Sequence, residues 1–214
     1  MPIITRIQAF QVDLPLHEGS YKWSGGKSIE VFDSTIVRVE TDEGVTGHGE
    51  VCPLGPFYLP AYAGGVRSGL AELAPHLIGS EATHLDVLHR KMERTLKGHP
   101  YVKTGIDIAC WDILGKLAGL PLYKLFGGYR DKVPCYVTCA YYRDGKDLAE
   151  LRDEMETLKA QGHKGFKAKV GGMSLAKDME RLALIREVIG DDNDMMVDVN
   201  RAWDLDTAIE AARL

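Results

Sequence analysis

The stretch Gly165-Phe166-Lys167-Ala168-Lys169-Val170-Gly171 decides how the chain is read. As a strand, its period of two puts Phe166, Ala168 and Val170 on one face and Lys167 with Lys169 on the other. A strand covered on both sides of a parallel sheet is apolar nearly throughout. Two neighbouring ammonium groups on such a strand are costly unless anions, or an anionic ligand held by a metal, meet them. An exposed strand face is the plainer alternative, and the surroundings of the segment argue against it.

Those surroundings alternate in kind. Residues 133–140 read as a strand, 147–160 as a helix, 166–170 as a strand, 175–189 as a helix, 195–199 as a strand, and 205–214 as the start of a third helix. Strand and helix in turn, with short connections, imply parallel strands joined by right-handed crossovers. In the next strand Asp194, Met196, Asp198 and Asn200 share one face, and Met195, Val197 and Val199 the other. Asp198 and Asn200 fall at its C-terminal end, where ligands bind in βα architectures. Asp198 therefore supplies the negative charge that the lysines lack, either as a salt-bridge partner or as a hard oxygen donor suited to Mg²⁺.

Ahead of this series the grammar differs. Residues 3–14 and 34–41 carry β-branched, strand-like composition, and 45–51 follows across Thr41-Asp42-Glu43-Gly44 to make a hairpin. Residues 16–29 and 52–65 read as loops, the second broken by Pro53, Pro56 and Pro60. Three helical patterns follow: 66–78, 85–96, and a long one after His99-Pro100. Its apolar face is expected to comprise Ile106, Ala109, Cys110, Ile113, Leu114 and Leu117, and it closes at Gly119 before Pro121. Met92 and Trp111 fit the same helical core. Two domains are expected, 1–126 as an α+β unit and 131–214 as a βα series.

Composition narrows the class. The 214 residues are 45% hydrophobic and 27% charged, an ordinary globular balance. Lys and Arg number 26 against 31 Asp and Glu, a net charge of -5 that leaves no basic footprint for nucleic acid. No apolar run approaches the roughly 20 residues that span a bilayer, and the N-terminus lacks the layout of a secretory signal. A cytoplasmic protein with no nucleic-acid or membrane partner is expected. Cys52, Cys110, Cys135 and Cys139 lack the spacing of a zinc site and read as small apolar residues in a reducing compartment. The seven His form no HxH or HExxH pattern, and neither GxGxxG after the first βα strand nor GxxxxGK[ST] occurs.

The chemistry of the two lysines points to proton abstraction. A lysine near its ordinary pKa of about 10.4 is protonated at neutral pH and cannot act as a base. A second lysine two residues away, a nearby dication and partial desolvation are each expected to lower that value. An amine so tuned can take a proton next to a carboxylate, and the resulting enediolate needs positive charge to hold it.

With these residues in view, the sequence resembles the enolase superfamily in its muconate-lactonizing and mandelate-racemase branches. Lys167-Ala168-Lys169-Val170-Gly171 resembles the Lys-x-Lys motif of the second barrel strand. Met196-Val197-Asp198-Val199-Asn200 with Ala202-Trp203 resembles the segment that carries the first metal ligand. Residues 106–116 and 119–128 resemble the helix and linker that join the capping domain to the barrel. The resemblance implies an α+β capping domain followed by the first βα units of a modified (β/α)₈ barrel, with Mg²⁺ as cofactor. It implies Lys169 as the base, Lys167 as the cation that tunes it and helps hold a carboxylate, and Asp198 as a metal ligand. Asn200 would support that site through water or through Lys167. Tyr21, Trp23, Phe57 and Tyr58, in the two capping loops, become candidate substrate contacts.

The loop residues 20–26 and 50–56, with 96–101, resemble members acting on proline-derived amino acids, including cis-3-hydroxy-L-proline dehydratases. In those, loss of the α-proton expels the 3-hydroxyl. Racemisation or epimerisation of an amino acid or an N-substituted derivative, proline betaines included, is the alternative within the family. Sugar-acid dehydration is less favoured by Lys-x-Lys. A non-catalytic binding or assembly protein that retains the fold is the alternative of another class. The partners implied are a small carboxylate or amino-acid substrate and further copies of the chain in a homo-oligomer. The remaining metal ligands and the opposite-face acid or base are expected beyond residue 214. A chain ending there is expected to expose strand edges, to aggregate or stay partly unfolded, and to show no turnover.

Overall fold

The computed structural model describes residues 1–214 apart from Glu18, Ser24, Gly25 and Asp144 and the side chain of Trp23. The chain divides into two compact units, Met1–His17 with Val31–Asp131, and Glu18–Glu30 with Lys132–Leu214. Five strands open it: β1 (Ile4–Pro15), β2 (Tyr21–Trp23), β3 (Lys27–Ile29), β4 (Val31–Thr41) and β5 (Thr46–Val51).

The first unit holds an antiparallel sheet in the order β1-β4-β5. Strand β1 runs opposite β4 from Ile4↔Thr41 to Pro15↔Val31, and β4 pairs β5 from Thr35↔Val51 to Glu40↔Thr46. The turn between β4 and β5 closes where Gly44 takes a φ of 77°, a left-handed conformation that costs glycine nothing. Alternation along β4 sends Thr35, Val37, Val39 and Thr41 inward. Helices α1 (Ala63–Leu77), α2 (Leu85–Thr95) and α3 (Pro100–Ala118) cover that face, and a short α4 (Leu122–Leu125) follows. Their apolar stripes meet the sheet in one core that includes Ile4, Leu73, Met92, Ile106 and Ile113.

Strand β5 lies unusually close to α3. A Cβ on Gly47 would fall 2.0 Å from the carbonyl oxygen of Ala109, and one on Gly49 would fall 2.1 Å from that of Gly105. These two glycines let backbone rest on backbone. Helix α3 opens with Pro100 in its first turn and closes on Gly119 at φ 63°, whose N–H is donated to Gly115 and Lys116. Leu117, expected in the core, is 42% exposed instead. It lies in the final turn of α3. Trp111 is half-buried and meets Phe126 edge-on at 4.7 Å.

The second unit builds a parallel sheet in the order β6-β7-β8. Its elements are β6 (Val137–Cys139), α5 (Leu148–Ala160), β7 (Gly165–Lys169), α6 (Leu175–Ile189), β8 (Asp194–Asp198) and α7 (Leu205–Ala211). Strand β6 is much shorter than the expected 133–140. Pairing begins only at Val137, opposite Phe166, because β7 itself starts at Gly165 and leaves the earlier residues no strand to pair with. Helices α5 and α7 start on aspartate caps: Asp147 accepts from the N–H of Glu150, and Asp204 from that of Thr207. Phe166 and Ala168 of β7 are fully buried with Leu151, Met155, Ile185 and Ile189 of the two flanking helices. On β8, Met195 packs against this core while Val197 is 46% exposed.

One segment departs from its sequence reading. Residues 16–29, expected as a loop, include the antiparallel hairpin β2–β3, with Tyr21↔Ile29 and Trp23↔Lys27 in register. Gly26 takes a φ of 67° at the reversal, and three paired residues on each side were too few to show as alternation. This hairpin belongs to the second unit although it precedes β4 in the chain.

Candidate active site

Parallel pairing of β7 with β8 puts Lys169 directly across from Asp198 and Lys167 across from Met196. The face opposite Phe166 and Ala168 therefore carries both ammonium groups toward one carboxylate. Lys169 Nζ donates to Asp198 Oδ2 at 2.9 Å and to Asn200 Oδ1 at 2.6 Å. Lys167 Nζ stands 3.6 Å from the same Asp198 Oδ2 and donates to Tyr136 Oη at 3.1 Å. The other carboxylate oxygen, Asp198 Oδ1, accepts the Asn200 N–H at 3.0 Å. Asn200 and Arg201 take φ values of 44° and 66°, a tight left-handed reversal that turns the Asn200 amide back over the strand end.

Aromatic rings wall this cluster. Lys167 Nζ lies 4.7 Å from the centroid of Tyr136, and Lys169 Nζ 5.6 Å from that of Tyr21. Tyr21 in turn meets Tyr141 edge-on at 5.6 Å. The hairpin β2–β3 thus brings Tyr21 beside Lys169. Phe57 and Tyr58 are exposed residues of the turn after Gly55 in the first unit. The Trp23 side chain lies outside the described residues. Asn200 reaches Lys169 through its amide oxygen.

The electrostatics of the cluster set burial against ion pairing. Burial pulls the Lys169 ammonium toward its neutral form, since only 7% of the residue is exposed. Hydrogen bonds to Asp198 and Tyr21 and the charge of Asp198 together outweigh that effect and hold Lys169 above its ordinary value. The expected lowering includes a dication at this site; here the Asp198 carboxylate meets Lys169 directly at 2.9 Å. Lys167 is likewise raised, chiefly by its bond to Tyr136. Burial works to raise Asp198, yet the Lys169 bond, the Asn200 N–H and both lysine charges hold it below the usual carboxylate range.

Asp198 is the right kind of donor for a hard cation, with the Asn200 amide oxygen close by. It could supply one of the several ligands that Mg²⁺ requires. Among the described residues, no group of three or more His, Cys, Asp or Glu could hold a metal ion. Two partners of this cluster escaped the sequence reading. Tyr136 lies just before β6, Tyr141 follows it, and each is one aromatic among nine tyrosines until the sheet brings it to a lysine.

A capping α+β unit followed by parallel βα units, with two lysines facing an aspartate across neighbouring strand ends, defines the class. Residues 27–127 match the family described as "Mandelate racemase / muconate lactonizing enzyme, N-terminal domain", and residues 150–214 match "Enolase C-terminal domain-like". The chain belongs to the enolase superfamily, in its mandelate racemase/muconate lactonizing enzyme branch. It is 48% identical over 212 residues to a cis-3-hydroxy-L-proline dehydratase of Roseibium aggregatum, covering 99% of this chain and 56% of that protein. An N-succinyl-L-Arg/Lys racemase of Bacillus cereus is 34% identical, with 94% of this chain and 53% of the racemase covered.

A solved enolase-superfamily structure from Roseovarius nubinhibens, complexed with magnesium, superposes with a TM-score of 0.85 at 41% identity. The match covers all of this chain and 56% of that one. The chain thus spans a little over half the length of the relatives it matches. Its second unit is the first part of a (β/α)₈-type barrel. Among the described residues, no helix is long and apolar enough to cross a membrane.

Proposed function

We propose that the protein removes the α-proton of a carboxylate substrate, with Lys169 as the base and an enediolate as the product of that step. The substrate we propose is a hydroxyproline such as cis-3-hydroxy-L-proline, acted on in the cytoplasm. Lys169 takes the proton as the Cα–H electron pair passes to the enediolate; its collapse breaks the C3–O bond, and the hydroxyl leaves as water with a proton returned by the Lys169 ammonium or taken from solvent. The observation that carries this reading is the contact of a buried Lys169 Nζ with Asp198 and Asn200 at adjacent strand ends. The identity to the Roseibium aggregatum dehydratase supports the choice of substrate.

Magnesium, held by Asp198 together with further ligands, would supply positive charge against the substrate carboxylate. With Asp198 so engaged, Lys169 keeps its burial and its like-charged neighbour Lys167, and both favour the neutral amine that a base requires. Lys167, half-exposed and steadied by Tyr136, would face the carboxylate as a fixed cation. Tyr21 would limit water at Lys169 from the hairpin side.

Racemisation is the second reading, favoured by the identity to the Bacillus cereus racemase. Incubation in D₂O with proline derivatives and N-acyl amino acids, with and without Mg²⁺, separates the two. Exchange of the α-proton with loss of water supports dehydration, and exchange with inversion supports racemisation. No exchange from any carboxylate, with metal bound, would instead indicate a binding protein.

A further inference from the structure

Two charged side chains sit where α6 should present apolar ones. Asp178 is fully buried and Arg181 is 8% exposed. Ionised groups are retained inside a helix–sheet interface only when hydrogen bonds satisfy them. Here the bonds go to one place. Arg181 donates from Nη2 to the carbonyl of Ala140 at 2.6 Å, and from Nη1 to that of Lys169 at 3.1 Å. It also meets Asp178 Oδ1 at 3.1 Å. Asp178 accepts the Gly171 N–H at 2.7 Å and the Tyr142 hydroxyl at 2.6 Å. The Tyr142 oxygen accepts the Gly172 N–H at 3.0 Å, and its ring lies 4.3 Å from the Arg181 guanidinium carbon.

Every backbone group in this network lies at the C-terminal end of β6 or β7. Ala140, just past β6, has a φ of 55°, and Gly171, just past β7, has a φ of 88°. Neither carbonyl nor N–H at such a reversal can continue a strand ladder, so side chains must satisfy them. On its other side the same segment is tied to β8, where the Val170 N–H is donated to the Asp198 carbonyl at 3.1 Å. The backbone that carries Lys169 is therefore held from both flanks. Burial and Asp178 push the Tyr142 phenol up to about 12, so it stays a donor at neutral pH.

We propose that Tyr142, Asp178 and Arg181 are positioning residues that fix the strand end bearing Lys169, and with it the reach of the Lys169 ammonium. The proposal rests on the reading of Lys169 as the base. A surface i,i+3 ion pair would make none of these backbone contacts. A pair needed only for packing would have no reason to collect the groups next to Lys169.

The test uses the full-length protein with Mg²⁺ and cis-3-hydroxy-L-proline in D₂O, or whichever proline derivative or N-acyl amino acid exchanges fastest. Tyr142→Phe, Arg181→Lys and Lys169→Ala are compared with wild type for kcat, KM and Tm. Tyr142→Phe is expected to lower kcat about 10-fold and Arg181→Lys about 100-fold, because small misplacements of a reacting group have effects of this order. KM should change by less than about 3-fold, since Lys169 placement matters most in the transition state. Variants that melt lower yet turn over at the wild-type rate would overturn the proposal. If Arg181→Lys does not fold, Tyr142→Phe alone decides. A dead Lys169→Ala beside a fully active Tyr142→Phe would sink only the positioning role. An active Lys169→Ala, or a wild type that exchanges nothing, would remove the base reading and this proposal with it.

Discussion

Lys169 and Asp198 face each other across adjacent parallel strands, with Nζ 2.9 Å from Oδ2. Each satisfies the other's charge in a site where neither is fully solvated. Replacing Asp198 with Asn would leave a buried ammonium with neutral partners, the Asn200 amide oxygen and Tyr21 among them, and no carboxylate bonded to it. Asp198 is partly exposed, so the loss should be smaller than for a fully buried pair, about 2 kcal/mol. Chemical denaturation in the presence of a chelator measures it directly. Equal stability of Asp198→Asn and wild type would show that the pair contributes nothing to the folded state.

The close approach of β5 to α3 makes a sharper stability prediction. Gly49→Ala puts a methyl group 2.1 Å from the Gly105 carbonyl oxygen, and backbone cannot swing aside as a side-chain tip can. Overpacking of this kind should cost about 3 kcal/mol. Gly64→Ala, at an exposed position of α1, meets nothing nearer than 3.6 Å and should stabilise by about 0.5 to 1 kcal/mol. Opposite shifts of Tm in the two variants are the expected outcome.

Acid should weaken the first unit through Asp33. Arg67 grips that carboxylate with both terminal nitrogens, at 2.7 and 2.9 Å, and holds it below its ordinary value of 3.8. A carboxyl lowered in the folded state adds stability that is fully present above its unfolded pKa. That stability is lost as pH falls through the folded pKa. Asp33→Asn should therefore lower stability at pH 7 and flatten its decline below about pH 4. Parallel acid limbs in wild type and variant would contradict this.

The four cysteines divide by burial. Burial pushes the Cys110 and Cys139 thiols up to about 12; Cys52, whose thiol partial burial also raises, and Cys135 are exposed. The thiolate is the reactive species. Brief alkylation of the native protein followed by peptide mass spectrometry should label Cys52 and Cys135 and spare the other two. Rapid native labelling of Cys110 or Cys139 would mean that their cores open readily.

What was legible in the sequence was whatever follows a period. Alternation placed Lys167 and Lys169 on one face and Phe166 with Ala168 on the other, and the βα rhythm placed Asp198 one strand away. The expected helix at 175–189 has the bounds the structure gives it. Short or non-periodic features were not legible. The hairpin at Tyr21 rests on three pairs, and the start of β6 is set by where its partner β7 begins rather than by its own apolar pattern. Asp178 and Arg181 look like any exposed i,i+3 pair until the fold turns them inward. The direction of the Lys169 shift depended on a distance, which no spacing in the chain reveals.

The central claim is that Lys169 takes the α-proton. The most direct measurement is deuterium incorporation at Cα of the substrate in D₂O, followed by NMR for wild type and Lys169→Ala in the full-length protein with Mg²⁺. Circular dichroism establishes that the variant is folded. The account predicts exchange in wild type and none in the variant on the face served by Lys169. Exchange that survives on both faces in a folded Lys169→Ala would contradict it.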